Sequence, residues 1–531
     1  MEPSRSEVVP LSFFDPLQFD RARFTLETAR FGGKTVVYRF YQDICYVAQP
    51  VDVTYQTLNI KEPVEINGKP VDCSGAPVFF GIGCAGFLSS TASSGGSFGM
   101  PEGGPDVPDA ARDPKKPSEI TSSAEWEAMA GGEGRAGGGI MGIPTLGSFP
   151  QKMPGPPPVE AEDGPVAPDG NRTELLTMGY VVVEAGCRGR ENRRSDGTWY
   201  GKAPAAIVDL KAAIRYLRHN RDSIPGDVEK IITTGGSGGG WMSTLVAASG
   251  NCAWFEPYLN ELGAAKERDD VFACYATSPI IDHENADGAI EWQGGALITD
   301  PQKRTRSQEL TAVFADYLSA ANYIGINGFG PLTADNLGDY IVKEYLAPDA
   351  SRYLRRLDEA TLRDYLSSRP WIRWDGETAG FSFADFGVYA TRNAEVPSFD
   401  DLALCQPGPD LYGTETIKAQ HFTDYALRLS TGNPEAQIAP ELMERVHAVN
   451  PAWHIRQKHS DLASYWWIRH GACDPCLAVP PAVLLAAAVN EAGKEVHLRL
   501  VWDGGHCEDD DHDTFLRWVD EITGYHRNLL T

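Results

Sequence analysis

The sequence lacks several features that would place it in particular classes of protein. Its 531 residues contain no apolar run near the roughly 20 residues that a membrane-spanning helix needs. Lys and Arg number 47 against 73 Asp and Glu, which gives a formal net charge of −26 and argues against nucleic acid or an anionic membrane as a partner. Residues 1–7 have neither the basic start nor the apolar stretch of a signal peptide, so we expect a cytoplasmic protein.

The ten cysteines are scattered along the chain and do not form the spacing pattern of a disulfide framework. Cys473 and Cys476 form a CxxC pair, but no second pair accompanies it, which disfavours a redox or metal function. The acidic run 508–513 could offer oxygen ligands to a metal ion, yet consecutive carboxylates do not converge on one ion by sequence alone. Solvated acids before a helix are the commoner case. We expect no metal and no cofactor.

A β-sheet with helical crossovers is predicted in two separate parts of the chain. Residues 179–184 and 231–234 are compact apolar runs typical of buried strands, and Ile207, Leu210 and Ile214 recur at helical spacing between them. This βαβ unit predicts a sheet that is at least partly parallel. The same rhythm returns later, with strands predicted at 465–469 and 496–500 and helices at 483–489 and 513–525.

The length and the composition shifts predict one α/β domain interrupted by a lid. Residues 1–250 form the first part of the core, and within them a Gly-, Pro- and Ser-rich surface insertion covers about 88–171. Residues 251–454, with mixed helical patterns and many aromatic residues, form the lid. Residues 455–531 complete the core.

A serine nucleophile is indicated by Gly235-Gly236-Ser237-Gly238-Gly239, which lies between a strand and a helix. This G-x-S-x-G pattern is typical of the nucleophile elbow, where a tight and strained turn exposes the serine hydroxyl at the N-terminus of a helix. An ordinary glycine-rich turn or a phosphate-binding loop is the alternative, although the GK[ST] ending of a P-loop is absent.

Candidates for the base and the acid follow the last two predicted strands. His506 comes directly after the strand at 496–500, and Asp474 follows the strand at 465–469, which is the chain order Ser, acid, His. Both lie past carboxyl ends of strands, where open α/β sheets bind their ligands. His470 and Asp503 are weaker candidates, and we interpret them as loop-fixing and turn residues.

Stabilisation of an oxyanion would need two backbone amides near Ser237. The amide of Gly238 follows the serine, and the glycine-rich loop 81–86 after an apolar strand offers a second, most plausibly that of Gly86.

Several longer strings are similar to those of a known family: GCRGR at 186–190, GKAPA at 201–205, IVDLKAAIRY at 207–216, EWQ at 291–293, VPSFD at 396–400 and IRHGA at 468–472. They resemble the bacterial tannases, serine esterases that cleave galloyl esters and have an α/β-hydrolase core with a large lid. The resemblance covers most of the chain except 88–171 and the middle of the lid. It implies the same triad of Ser237, Asp474 and His506, an oxyanion glycine at Gly86, and a candidate substrate contact at Phe87 beside it.

Three departures concern the charged residues with which this family binds galloyl hydroxyls. The positions of its lysine, glutamate and second aspartate hold Ala394, Gly408 and Cys476, with Arg392 or Glu395 as near substitutes for the lysine. Because hydrogen bonds to charged groups contribute about 1.5–3 kcal/mol each, we expect an acyl group that is not galloyl or is held differently.

Aromatic residues bear on the same question. Trp292 and Trp467 would suit a less hydroxylated aromatic acyl group, or they simply pack the lid against the core. The resulting hypothesis is a tannase-like carboxylesterase acting on a small-molecule ester.

Two alternatives remain open. One is a serine peptidase or amidase of the same fold, although no β-repeat region precedes the elbow as it would in a propeller-capped peptidase. The other is a non-catalytic binding protein, which need not keep all three triad residues.

Overall fold

The computed structural model describes residues 15–93, 172–390 and 395–525. The strands in these ranges are β1 Thr25–Phe31, β2 Lys34–Cys45, β3 Thr57–Ile66, β4 Lys69–Pro70, β5 Pro77–Ile82, β6 Val181–Ala185, β7 Asp227–Gly236, β8 Ala273–Thr277, β9 Ile324–Gly325, β10 Gly330–Pro331, β11 Arg373–Trp374, β12 Ala379–Gly380, β13 Tyr465–Gly471 and β14 Glu495–Val501.

The α-helices in the same ranges are α1 Arg172–Thr177, α2 Ala205–His219, α3 Gly238–Ala248, α4 Glu256–Glu261, α5 Ala286–Gly294, α6 Pro301–Ala321, α7 Leu337–Ile341, α8 Ala347–Leu354, α9 Glu359–Ser367, α10 Phe383–Ala390, α11 Pro407–Leu411, α12 Asp424–Thr431, α13 Pro440–Ala448, α14 Pro451–Gln457, α15 Pro480–Glu491 and α16 His512–Thr523. A π-helical turn covers Val342–Leu346, and 3₁₀ turns cover Ala85–Phe87, Ala253–Phe255, His283–Asn285 and Gly295–Leu297.

One large mixed sheet organises the molecule. Its strand order is β1-β2-β3-β6-β5-β7-β8-β13-β14, with β4 paired to β3. From β6 to β14 every neighbouring pair is parallel, whereas β1, β2 and β3 form an antiparallel extension joined to β6. The prediction of a mostly parallel central sheet is therefore confirmed.

Both faces of the parallel strands are covered, which explains their continuous apolar sequences. Along β5 the side chains of Val78 and Phe80 pack into the large core that contains α2, α3 and α15. Phe79 points to the opposite face and packs with residues of α1 and α16, such as Phe515.

The predicted start of the lid at residue 251 is wrong, because a strand of the central sheet lies after it. β8 lies between β7 and β13, in register with both, so the core continues at least to Thr277. The five-residue sequence ACYAT is short and poor in β-branched residues, so its composition does not distinguish it from the helical region that follows. The helices and short hairpins that follow, from 283 to 457, lie between two strands that are neighbours in the sheet.

Trp467 does not face that helical region. Its ring lies 5.1 Å from the ring of Trp518 and 5.8 Å from that of Phe515, both on α16. Because side chains alternate along β13, this position is under the C-terminal helix on the other face of the sheet. The expectation that Trp467 serves the lid or its pocket is therefore corrected.

Most of the predicted insertion at 88–171 lies outside the described residues. Its first residues pack against the core, where Ser90 forms an isolated β-bridge with Cys187. In the part of the chain that the structure describes, every helix is too short or too polar to cross a membrane.

Truncation of Phe515 should test the packing of α16 on the sheet. Its fully buried ring lies 4.4 Å from the ring of Tyr275, so we expect Phe515→Ala to lower the free energy of unfolding by about 3–5 kcal/mol in urea titrations. The control Val388→Ala removes a side chain that is 55% exposed and should change it by less than about 0.5 kcal/mol. Equal effects of the two variants would contradict the packing described here.

Candidate active site

The turn between β7 and α3 presents Ser237 in a strained backbone conformation. Its φ of 56° and ψ of −120° lie in a region that non-glycine residues rarely adopt, at a cost of about 1–3 kcal/mol. The strain is held on both sides, because the Ser237 amide donates to Thr277 O at 2.9 Å and α3 begins at the next residue. Ser237 is thus the residue at which the chain reverses from strand to helix.

Glycine at position 238 allows a second loop to approach this turn. A Cβ atom added to Gly238 would lie 2.2 Å from Cys84 O and 3.2 Å from Gly86 N. The Gly86 amide therefore lies beside the start of α3, where unpaired helical amides and the helix dipole favour negative charge. The two amides predicted as oxyanion donors therefore lie close together.

The loop after β5 holds that amide through two consecutive left-handed residues. Gly86 and Phe87 have φ angles of 61° and 64°. Arg190 stabilises this conformation by donating its backbone N–H to Phe87 O at 3.0 Å and its side-chain Nε–H to Gly86 O at 2.9 Å. The guanidinium also pairs with Asp410 on α11, which in turn binds Lys202.

Buried Asp474 and half-buried His506 form a hydrogen-bonded pair. His506 Nδ1 lies 2.8 Å from Asp474 Oδ2, while Asp474 Oδ1 accepts the amides of Cys476 at 2.8 Å and Leu477 at 3.2 Å. Because the carboxylate accepts at Nδ1, the hydrogen of a neutral imidazole lies on that nitrogen and Nε2 is left to act as a base.

The electrostatics of this pair oppose the effect of burial. Burial would raise the pKa of Asp474, but the positive charge and hydrogen bond of His506 outweigh it and lower the pKa to about 2. Burial would likewise lower the pKa of His506, yet the Asp474 carboxylate raises it well above the ordinary histidine value. The pair therefore stabilises an imidazolium, the species that forms when His506 accepts a proton.

The loop carrying His506 packs against both the acid and the serine turn. The Cys473 amide donates to Gly504 O at 2.9 Å, and the Cys507 amide donates to Ser278 Oγ at 2.9 Å. A Cβ atom on Gly236 would lie 3.1 Å from Cys507 Sγ. The residue after His506 thus lies beside the residue before Ser237, which brings the three predicted triad residues to one edge of the sheet.

His470 and Asp503 have other partners. His470 is fully buried, with Nδ1 2.9 Å from Gly471 O, and burial lowers its pKa. Asp503 accepts hydrogen bonds at 2.6 Å from both Tyr365 OH on α9 and Tyr389 OH on α10. Asp503 therefore joins the helical region to the histidine loop.

The residues predicted to contact substrate lie in different surroundings. Phe87 is buried with its ring 4.9 Å from that of Trp241, and Cys476 offers a donor atom within 4.8 Å of donor atoms of Asp474 and His506. Gly408 is buried in α11, where a Cβ would lie 3.0 Å from Phe399 O.

Two further positions bear on the substrate contacts. Trp292 is half-buried and its ring lies 5.0 Å from that of Phe383, so it packs within the helical region. Ala394 and Arg392 lie outside the described residues, and Glu395 is exposed and pairs with Lys303 at 2.9 Å.

The acidic run after His506 is engaged in ion pairs rather than solvated. Asp511 pairs with Arg469 at 2.8 Å and with Arg499 at 2.6 Å, and Asp510 pairs with Arg352 at 2.7 Å. These carboxylates connect the sheet, the histidine loop and α8.

This chain is similar to several known proteins. A family model described as BD-FAE matches residues 168–324. Tannin acyl hydrolase from Lactobacillus plantarum is 28% identical, with a TM-score of 0.73 and coverage of 96% of this chain and 99% of that one. Fusobacterium nucleatum tannase is 26% identical, with a TM-score of 0.71 and the same coverage. A tannin acyl hydrolase solved in complex with 3,4-dihydroxybenzoate is 27% identical, with a TM-score of 0.71, again covering 96% and 99%.

No curated protein matches this chain in sequence. The resemblance to tannases is nevertheless confirmed over nearly the whole chain, and the core has the α/β-hydrolase fold.

The pH dependence of hydrolysis should report the Asp474–His506 pair. A raised His506 pKa means that the imidazole is protonated, and unable to accept the serine proton, already at pH values above the ordinary histidine pKa of about 6.5. We therefore expect kcat/KM to fall on acidification with an apparent pKa above that value. In Asp474→Asn the fall of kcat/KM should move to lower pH, because the carboxylate that raises the His506 pKa is gone, while kcat falls by about 10³–10⁴-fold. If the pH at which kcat/KM falls is the same in Asp474→Asn, Asp474 does not set the His506 pKa.

Proposed function

We propose that this protein is a serine carboxylesterase that hydrolyses esters of an aromatic or phenolic acid through an acyl-enzyme. The observation that carries the proposal is the convergence of three loops at one sheet edge: the strained turn at Ser237, the Asp474–His506 pair at 2.8 Å, and the loop of Gly86. Each loop supplies one element of acyl transfer, namely a nucleophile, a base with its orienting acid, and an oxyanion donor.

In the first half of the reaction, His506 Nε2 accepts the proton of Ser237 as the serine oxygen attacks the ester carbonyl. The negative charge that develops on the carbonyl oxygen is stabilised by the amides of Gly86 and Gly238. The tetrahedral intermediate then collapses, the alcohol leaves with the proton from His506, and the acyl group remains on Ser237. Asp474 keeps the imidazole in the required tautomer throughout.

In the second half, a water molecule replaces the alcohol. His506 accepts its proton, the acyl–serine bond breaks, and the proton returns to Ser237 as the carboxylic acid departs. No cofactor takes part in these steps.

The helical region after β8 is proposed as the lid over this centre. One of its attachments is at the histidine loop, where Asp503 accepts from Tyr365 and Tyr389, and Asp349 pairs with Arg499 at 2.6 Å and accepts the Trp502 amide at 2.7 Å. A lid anchored there would bring substrate contacts to the triad and exclude water from the acyl-enzyme.

The proposed acyl group is aromatic, and its binding depends less on charged side chains than the binding of a galloyl group does. The tannin acyl hydrolase solved with 3,4-dihydroxybenzoate supports the aromatic class. At the positions where this family has carboxylates, Cys476 offers a thiol beside Asp474, and a Cβ atom at Gly408 would lie only 3.0 Å from Phe399 O. A glutamate at 408 would therefore require its neighbours to move by a few tenths of an ångström.

A matched panel of esters tests this proposal. We expect Ser237→Ala to abolish turnover of methyl benzoate, ferulate, protocatechuate and gallate, with gallate the poorest substrate of the wild-type protein. A p-nitroanilide of the best acyl group should be cleaved far more slowly if the protein is an esterase rather than an amidase. Turnover that persists in Ser237→Ala would contradict the proposal.

Restoring a carboxylate next to the triad acid tests the acyl preference itself. A charged hydrogen bond to a phenolic hydroxyl contributes about 1.5–3 kcal/mol, so Cys476→Asp should raise the gallate-to-benzoate ratio of kcat/KM by about tenfold or more. Cys476→Ser, which adds no charge, is the control and should leave the ratio nearly unchanged. If both variants behave alike, Cys476 does not contribute to substrate preference.

A further inference from the structure

A group of metal-binding side chains lies at the far end of the nucleophile helix. Cys252 follows the C-terminus of α3, His454 lies on α14, and His459 comes two residues after that helix ends. Ser237 is at the opposite end of α3, whose 11 residues span roughly 16 Å. One donor atom from each of the three side chains lies within 4.8 Å of the other two.

We propose that Cys252, His454 and His459 bind a zinc ion, with solvent in the fourth position. Cysteine thiolates and histidine imidazoles are ligands that commonly hold Zn²⁺ in proteins, and a tetrahedral site with three protein ligands leaves its fourth position to solvent. The ion would join the segment after α3 to α14, and thus the core to the end of the helical region.

His454 provides the first argument for this site. Its Nε2 lies 2.8 Å from Ala448 O, and because a carbonyl oxygen can only accept, Nε2 carries the hydrogen and Nδ1 presents a lone pair. Nδ1 is buried and has no hydrogen-bond partner within the described ranges. An imidazole that donates one N–H to a carbonyl and leaves the other nitrogen unpaired has the orientation of a histidine prepared to bind metal.

The surroundings of Cys252 suit a bound thiolate. The side chain is 2% exposed. Lys211 is a cation near this thiol, but its Nζ lies 2.7 Å from Asp269 Oδ1 and 2.5 Å from Ser249 O, so its charge is already balanced. A metal ion here would therefore not be opposed by an unpaired cation.

His459 gives the site an entrance. Zn–S and Zn–N bonds of about 2.3 and 2.0 Å place ligand atoms about 3.3–3.7 Å apart, so the three side chains must converge by about 1 Å. His459 is exposed and follows Lys458, which has the left-handed φ of 56° that ends α14. An exposed side chain on such a turn can close onto an ion that arrives from solvent.

Two other groups of potential ligands must be separated from this site. Asp474, Cys476 and His506 belong to the triad, and Asp509, Asp510 and Asp511 include the arginine-paired acids already described. His459 belongs to neither group, so a Zn²⁺ ion held by either of them would still be bound in His459→Ala.

The experiment is a Zn²⁺ titration of the full chain, freed of metal with a chelator, against a chromophoric competitor. We expect one tight equivalent, together with a thiolate-to-metal charge-transfer band when Co²⁺ is used instead. In His459→Ala the affinity should fall by more than the ~10–100-fold that loss of a ligand's hydrogen-bond partner costs, and the band should change. Zn²⁺ should also raise the Tm of the wild type more than that of the variant.

His447→Ala and Cys476→Ser are the matched controls. His447 stacks on Trp453 at 5.5 Å in the same region but is not among the three ligands, so its loss should leave the tight equivalent intact. Cys476→Ser should also retain it, since it alters only the group at the triad. The proposal is overturned if His459→Ala, a change at an exposed residue, binds Zn²⁺ as tightly as the wild type. Loss of the equivalent in Cys476→Ser would overturn it equally.

Discussion

A carboxylate buried at the edge of an apolar sheet is stable only if hydrogen bonds or an opposite charge compensate its loss of water. Asp474 is such a carboxylate, and the loops around it are arranged to supply those partners. Two backbone amides occupy one of its oxygens and His506 occupies the other. Because the amides come from the residues just after it, the loop must turn tightly there. Because His506 comes from a different strand, β13 and β14 must be neighbours, as their parallel register makes them.

The helical segment is attached to the core in the same region. Asp349, Asp503 and Asp510 connect that segment to β14 and the loop that follows it, through arginine, tyrosine and backbone partners. On the other side of the site, Asp410 reaches Arg190, which holds the carbonyl of Gly86. The loops that would carry base and oxyanion donor are therefore both braced by the region proposed as the lid. Disturbance of that region is expected to affect chemistry as well as access.

How far the sequence could predict this arrangement depends on the range of the interactions. The serine turn, the strand before each candidate residue and the helices of the core around 207–217, after Ser237, at 483–489 and at 513–525 follow from local patterns, and the structure contains those strands and helices. β8 could not be recognised, because ACYAT owes its place to paired residues 41 and 192 positions away rather than to its own composition. Trp467 shows the same limit, since alternation along a strand does not say which face a given residue takes.

Contacts between distant residues were equally hidden. The hydrogen bonds from Tyr365 and Tyr389 to Asp503 join residues more than 100 positions apart, and no spacing rule points to them. Arg190 lies in a string shared with the tannases, but the sequence alone did not indicate that its side chain binds Gly86 O. Similarity to the tannases thus identified the segment that contains Arg190 without showing what its side chain contacts.

The central claim is that Ser237 is a nucleophile activated by His506 and Asp474. Treatment with a fluorophosphonate, followed by peptide mass spectrometry, tests it without knowledge of the natural ester. The account predicts covalent modification at Ser237, strongly slowed in His506→Ala, while the other serines remain unmodified. An unmodified Ser237 in the folded protein, or labelling equally fast without His506, would contradict it.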